Sequence, residues 1–195
     1  RELGLTATIL RPSFFMENFF MPDTRTGIEA GTVSLGMAPE KPRQMIAVDD
    51  IGAFAALAFQ RTEVYAGRAI DISGDELTGR KMADVLTKVT GRPVTYAQTP
   101  IEQLRAFSED IALMFEWLNA RGYEADIGAL QKAHPVLKRF ETWLGETAWP
   151  KIYCHGRCGR GRTPPYAGLR APAARRPPCA ARPERPRRPP RPSGS

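Results

Sequence analysis

Short β-leaning runs alternate with helical ones as far as residue 97, and after Pro100 only helical periodicity remains. That order restricts the fold more than any other feature of the chain. Leu5-Thr-Ala-Thr-Ile-Leu10 is short and largely apolar, as a strand buried in a parallel sheet should be. Arg11-Pro12 is expected to end it, because proline lacks a donor and holds the preceding residue extended. Ser13 then stands where a helix N-cap would, before a short aromatic helix over Phe14–Met21 that Pro22 closes. Gly31–Gly36 and Gln44–Val48 are further strand candidates. Asp49 or Asp50 is placed to cap a helix over Ile51–Arg61 that is apolar almost all round and so expected to be largely buried. Gly52 in its first turn would let a neighbouring backbone approach. Arg68–Ser73 reads as a strand ending in a Gly74-Asp75 turn, Thr78 as the cap of a helix through Thr90 that Gly91 stops, and Val94–Ala97 as a last strand. From Pro100 to about Arg121 apolar residues recur three or four apart, which predicts one amphipathic helix, with shorter ones over Asp126–Ala133 and Lys138–Gly145. The class implied is α/β with a helical end.

Composition matters because it changes abruptly after Pro150. The last 45 residues hold 10 of the 18 prolines, all three cysteines, and 12 Lys+Arg against the single acid Glu184. Residues 1–150 therefore carry 16 basic and 20 acidic groups, and the overall charge of +7 comes entirely from the tail. The body is mildly acidic, which argues against a nucleic-acid partner for it. Its lack of cysteine excludes a disulfide framework and fits a reducing compartment. No apolar run approaches the roughly 18 residues of a membrane span. The chain begins at Arg1 without a charged-then-apolar leader and is expected to be part of a longer, cytoplasmic protein. Two domains are expected: 1–150 as the folded portion and 151–195 as a disordered Arg/Pro-rich tail. Cys154, His155, Cys158 and Cys179 lack a usual zinc spacing, and the stretch Pro186–Pro192 carries a PxxP pattern beside arginines that could serve SH3-type or charge-driven nucleic-acid binding. An out-of-frame extension explains the same composition more simply.

The body holds no self-sufficient catalytic set. There is no Gly-x-Gly-x-x-Gly after a strand, no Tyr-x-x-x-Lys pair, no phosphate loop and no histidine pair at metal spacing. Its one histidine, His134, precedes Pro135, where a surface or capping role is expected. Asp49 and Asp50 are adjacent and read as helix caps. The informative stretch is Arg11-Pro-Ser-Phe-Phe-Met-Glu-Asn18, because a loop leaving the C-terminal end of a parallel strand lies where open α/β sheets bind ligands. Phe14, Phe15, Met16, Phe19 and Phe20 crowd it. They could wall an apolar pocket for a flat ring, with Asn18 adding polar contacts, or they could be ordinary core.

Four segments resemble one family: Leu10–Asn18, Ile46-Ala-Val-Asp-Asp-Ile-Gly52 opening a helix, Gly67–Leu77, and Phe140-Glu-Thr-Trp-Leu144. Together they are similar to the NmrA-like branch of the atypical short-chain dehydrogenase/reductases. The resemblance implies the C-terminal part of a Rossmann-like fold binding NAD or NADP. It also implies that Pro12, Phe15, Met16, Glu17 and Asn18 contact the cofactor near its nicotinamide, that Phe14 and Phe19 wall the substrate pocket, and that the region after Pro100 roofs the substrate side. The glycine-rich loop, the selector of NAD against NADP and any active-site Lys or Tyr are expected upstream of Arg1. The function implied is an NAD(P)H-dependent oxidoreductase of a small organic, carbonyl or quinone-like compound. The alternatives are a non-catalytic redox sensor that regulates a partner protein, and a truncated product with no activity of its own.

Overall fold

In the computed structural model, which describes residues 6–147, the first strand runs through its proline instead of stopping there. β1 (Ile9–Pro12) lies parallel to β5 (Ala69–Ile72), with Leu10 opposite Ile70 and Pro12 opposite Ile72. Pro12 cannot donate, and the next residue supplies the missing bond: the Ser13 N–H reaches the Ile72 carbonyl at 3.0 Å. The chain then changes partner. β2 (Phe14–Phe15) runs parallel to β4 (Arg43–Ile46), with Phe14 opposite Met45. Ser13 is thus the joint between two ladders rather than the expected helix cap.

The segment after it also departs from expectation. Met16–Phe20 is a single 3-10 turn, and Pro22 opens helix α1 (Pro22–Glu29) rather than closing one. A proline suits a first helical position, where its fixed φ is already helical and its missing donor is not needed. β3 (Thr32–Leu35) pairs in parallel with β7 (Thr95–Gln98). β6 (Asp75–Leu77) pairs antiparallel with β4, although its first residue was assigned to a turn. The Gly74 N–H (2.8 Å) and Ser73 Oγ (3.1 Å) both donate to the Met45 carbonyl, and this folds the chain back along β4.

Helix α2 (Val48–Gln60) starts three residues earlier than expected and is followed by the short α3 (Thr62–Tyr65). Helix α4 (Gly79–Thr90) follows its sequence signals: Thr78 Oγ1 accepts from the Lys81 N–H, and Gly91 ends it at φ +66°. The long helix expected after Pro100 is two, α5 (Ile101–Phe107) and α6 (Glu109–Ala120). Between them Ser108 is extended and its hydroxyl caps α6 through the Ile111 N–H at 3.5 Å. α7 (Ile127–Ala133), capped by Asp126, and α8 (Phe140–Glu146) complete the described residues. The tail and its zinc, SH3-type and nucleic-acid readings lie outside them, as does Leu5.

The core is arranged about β4, whose four residues are all buried. Met45 faces a cluster that includes Met16, Phe19, Leu86, Phe140 and Leu144, with the Phe19 and Phe140 rings 4.7 Å apart. Ile46 faces another, with Phe54, Ile72, Leu130 and Leu137. By contrast, Ile9 on β1 is 56% exposed, and α2 buries only Asp50 and Phe54 while Phe59 is 84% exposed. The expectation of a largely buried α2 therefore does not hold against the elements described. Gly52 faces open space, so no backbone approaches it there.

Asp50 caps nothing. Its carboxylate is buried, with Oδ1 3.1 Å from His134 Nε2 and Oδ2 accepting the Lys138 N–H at 3.1 Å. The His134 ring also meets Phe54 edge-on at 5.6 Å. Both residues belong to a latch that holds the segment between α7 and α8 against α2; Asp50 lacks the capping role expected of it, while His134 does stand at the C-cap of α7, where its N–H reaches the Leu130 carbonyl at 2.9 Å. Ala47 stands at the N-cap position instead, without a side-chain bond. Asp50→Ala leaves two part-buried partners unpaired, and losing such hydrogen bonds to a charged group costs about 1–3 kcal/mol. Urea unfolding should show a loss of that order; an unchanged midpoint would contradict the latch.

Candidate nicotinamide-side pocket

Two cavities flank the joint at Ser13. The larger, about 440 Å³, is an open cleft lined by Arg11, Pro12, Ser13, Gln44, Asp71, Trp117 and Tyr123 among others. Arg11 and Asp71 bridge across β1 and β5 at its rim at 2.7 Å. The smaller, about 230 Å³, is bounded by Phe14, Phe15 and Asn18 on one side and by Met114, Phe115 and Leu118 of α6 on the other, with Arg43 and Tyr123 completing it.

The expected site residues separate by position. Phe14, Phe15 and Asn18 meet in the smaller pocket, and Pro12 lies in the neighbouring cleft. Met16 and Phe19 do not reach either: both are wholly buried, Phe19 beneath Phe14 with the two rings 5.7 Å apart and edge-on. They support the wall from behind, because the 3-10 turn directs them into the core. Glu17 turns away from the pocket. Its Oε1 accepts the Val48 N–H at 3.0 Å, so it caps from a distance the helix that Ala47 leaves uncapped. The Asn18 side-chain amide bonds no other described residue and remains available in the pocket.

Sequence reading missed Arg43 and Tyr123, whereas Met114, Phe115 and Leu118 fall in the region after Pro100 that the resemblance assigned to the roof. The strand candidate begins at Gln44, which leaves Arg43 in the preceding loop. Arg43 is 1% exposed. Its Nε donates to Met37 Sδ at 3.2 Å, and its guanidinium carbon lies over the Phe14 ring at 4.4 Å and the Phe115 ring at 5.4 Å. Burial lowers its pKa from the ordinary value, while Tyr123 and Tyr96 push the other way. The two phenols are raised, chiefly by burial, with Arg43 opposing. Tyr96 donates its hydroxyl to the Met37 carbonyl at 2.6 Å.

The pocket is too small for a whole dinucleotide. At about 230 Å³ it is below the range of about 300–1,000 Å³ typical of complete ligand sites. Aromatic walls and a free amide suit a flat ring bearing a carboxamide. Among the described residues no glycine-rich strand-to-helix turn is present to hold phosphates.

Residues 1–144 match the NmrA-like family, and the chain belongs to it. The fold is Rossmann-like, as in that family's NAD(P)-binding structures. The chain is 29% identical over 106 residues to the (4-alkanoyl-5-oxo-2,5-dihydrofuran-3-yl)methyl phosphate reductase of Streptomyces griseus, covering 54% of this chain and 36% of that protein. The NADPH-dependent quinone oxidoreductase of Escherichia coli, solved with NADPH, superposes with a TM-score of 0.62 at 22% identity, over 74% of this chain and 54% of that one. NmrA, a negative transcriptional regulator solved with NADP, gives 0.57 at 18% identity, over 80% and 57%. The chain spans about a third of the length of the curated relatives it matches. No described helix is long and apolar enough to cross a membrane.

Because Glu17 caps α2 and does not enter the pocket, Glu17→Ala should lower stability by about 0.5–2 kcal/mol, the usual cost of a lost N-cap. Glu17→Gln keeps the acceptor and should recover most of it. Equal unfolding midpoints for all three proteins would contradict the capping role.

Proposed function

We propose that the intact protein is an NAD(P)H-dependent reductase of a small organic compound, carbonyl or quinone-like, and that the pocket at Phe14, Phe15 and Asn18 receives the nicotinamide ring. The observation that carries this reading is the exit of β2. It brings two aromatic side chains and one unengaged amide into a single pocket roofed by α6. The reductases of S. griseus and E. coli support it as family relatives and neighbours. When bound, the nicotinamide supplies the hydride. The chain's own part is positional: Phe14 and Phe15 wall the ring and exclude water, Asn18 orients its carboxamide, and Phe115 and Leu118 close the substrate side. Pro12 borders the path of the cofactor in the adjoining cleft. A cytoplasmic location, where NAD(P)H is at hand, belongs to the same proposal.

A second reading has support of its own. Among the described residues, the titratable groups lining the pocket are Arg43 and Tyr123, with no carboxylate or histidine in the lining. That is a sparse set for acid–base chemistry and would suit a redox sensor that holds the dinucleotide and regulates a protein partner, as the similarity to the NmrA regulator suggests. Turnover of NADPH with a quinone acceptor favours the reductase; binding without turnover favours the sensor.

Asn18→Ala is the direct test, made in the protein that includes the phosphate-binding portion. One lost neutral hydrogen bond is worth about 0.5–1.5 kcal/mol, so NADPH affinity should fall roughly threefold to tenfold. The cofactor-free melting temperature should hardly move, because the Asn18 side chain supports no other described residue. Unchanged affinity would remove Asn18 from the site.

A further inference from the structure

Arg43 is placed at cost. Its strand is buried on both faces, and neither Nη atom of its guanidinium has a hydrogen-bond partner among the described residues. A buried cation without a counter-charge is among the more destabilising arrangements a fold can hold. Contacts with the Phe14 and Phe115 rings offset part of this. They leave the donor edge of the fork unused. Sheet packing alone does not require the charge, because an unbranched apolar side chain would fill the same space. The neighbouring Gln44 shows how the same strand treats a polar side chain it uses structurally: its amide both donates to the Ala125 carbonyl at 2.9 Å and accepts the Ala125 N–H at 3.0 Å.

We propose that Arg43 is the receptor for an oxyanion, a carboxylate or phosphate carried on a flat apolar body, that enters the pocket between Phe14 and Phe115. A guanidinium presents two parallel N–H donors, the geometry that binds such a group in bidentate fashion. Around it the pocket offers aromatic and aliphatic walls for the body of the ligand. Phe15 and Met114, 39% and 47% exposed, stand at the mouth, and their movement opens the way to the Nη atoms. The inference rests on the reductase reading for the part this pocket plays, and it narrows the substrate to an anionic one. Arg43 acts in it as a binding residue, while hydride transfer needs nothing from it.

The test uses the full chain without dinucleotide, so that it fails separately from the cofactor assignment. Benzoate, phenyl phosphate and neutral benzamide are titrated by calorimetry into the wild-type chain and into Arg43→Met. Benzoate or phenyl phosphate should bind the wild type at least tenfold more tightly than benzamide does, and Arg43→Met should abolish that preference while leaving benzamide unchanged. Whichever oxyanion binds more tightly identifies the group. Nitrogen-15 spectra of the wild-type arginine side chains report directly on the same event, so a variant that fails to fold does not leave the matter open: the Arg43 Nε–Hε signal should shift with either anion and not with benzamide. Equal binding of benzoate, phenyl phosphate and benzamide, or an Arg43 signal that no anion moves, would overturn the proposal.

Discussion

Strand β4 is buried on both faces, yet two of its four residues are polar, and much of the molecule is arranged around that conflict. Gln44 resolves it structurally. Its amide pairs with both backbone groups of Ala125, which draws the segment before α7 onto the sheet. Arg43 lies on the opposite face with Met45 and is covered by aromatic rings, so its surroundings form a pocket instead of closed core. The remaining pair, Met45 and Ile46, face two separate clusters, and a third forms around Met37, Phe115 and Leu118. One strand thus sets where the core is tight and where it leaves a cavity.

The elements around the pocket reinforce this division. The 3-10 turn after β2 directs Met16 and Phe19 inward, where Phe19 packs on Phe140, and leaves Phe14, Phe15 and Asn18 to the cavity. Glu17, between them, reaches across to the first turn of α2. Asp50 in that same helix holds His134 and the Lys138 backbone. A chain of polar contacts therefore runs from the pocket wall through α2 to the segment between α7 and α8. The two Asp50 contacts are part-buried, which makes them count for more than the exposed ion pairs such as Arg25–Glu29 or Arg80–Glu40, whose solvation leaves them little net effect.

What was legible in the sequence was mostly local. Thr78 and Gly91 are capping signals read by their own backbone, and the structure uses them as expected, while Asp126, read as the first helical residue, caps α7 instead. The order of the other strands and helices survives too, because apolar periodicity follows burial, but β2, α1, α3 and β6 were not read from it. The misreadings share a physical cause: a long-range partner took the group concerned. Pro12 looked like a strand end because its missing donor is visible in sequence, whereas the Ser13 bond to Ile72 that compensates for it is not. Asp50 looked like a cap until His134, 84 residues later, claimed its carboxylate. Ser108 was hidden inside a helical period that continues on both sides of the break. At the candidate site, the motif from Arg11 to Asn18 borders the pocket, but which of its side chains face it depends on the 3-10 turn, and Arg43 and Tyr123 reach it only through tertiary packing.

The central claim is that this pocket holds the nicotinamide ring. Intermolecular nuclear Overhauser measurements on the protein with its phosphate-binding portion and bound NADP+ address it most directly. Nicotinamide ring protons should show contacts to the aromatic protons of Phe14 or Phe15 and to the Asn18 side-chain amide. A saturated complex whose nicotinamide protons contact none of the three residues, while contacting others elsewhere, would contradict the account.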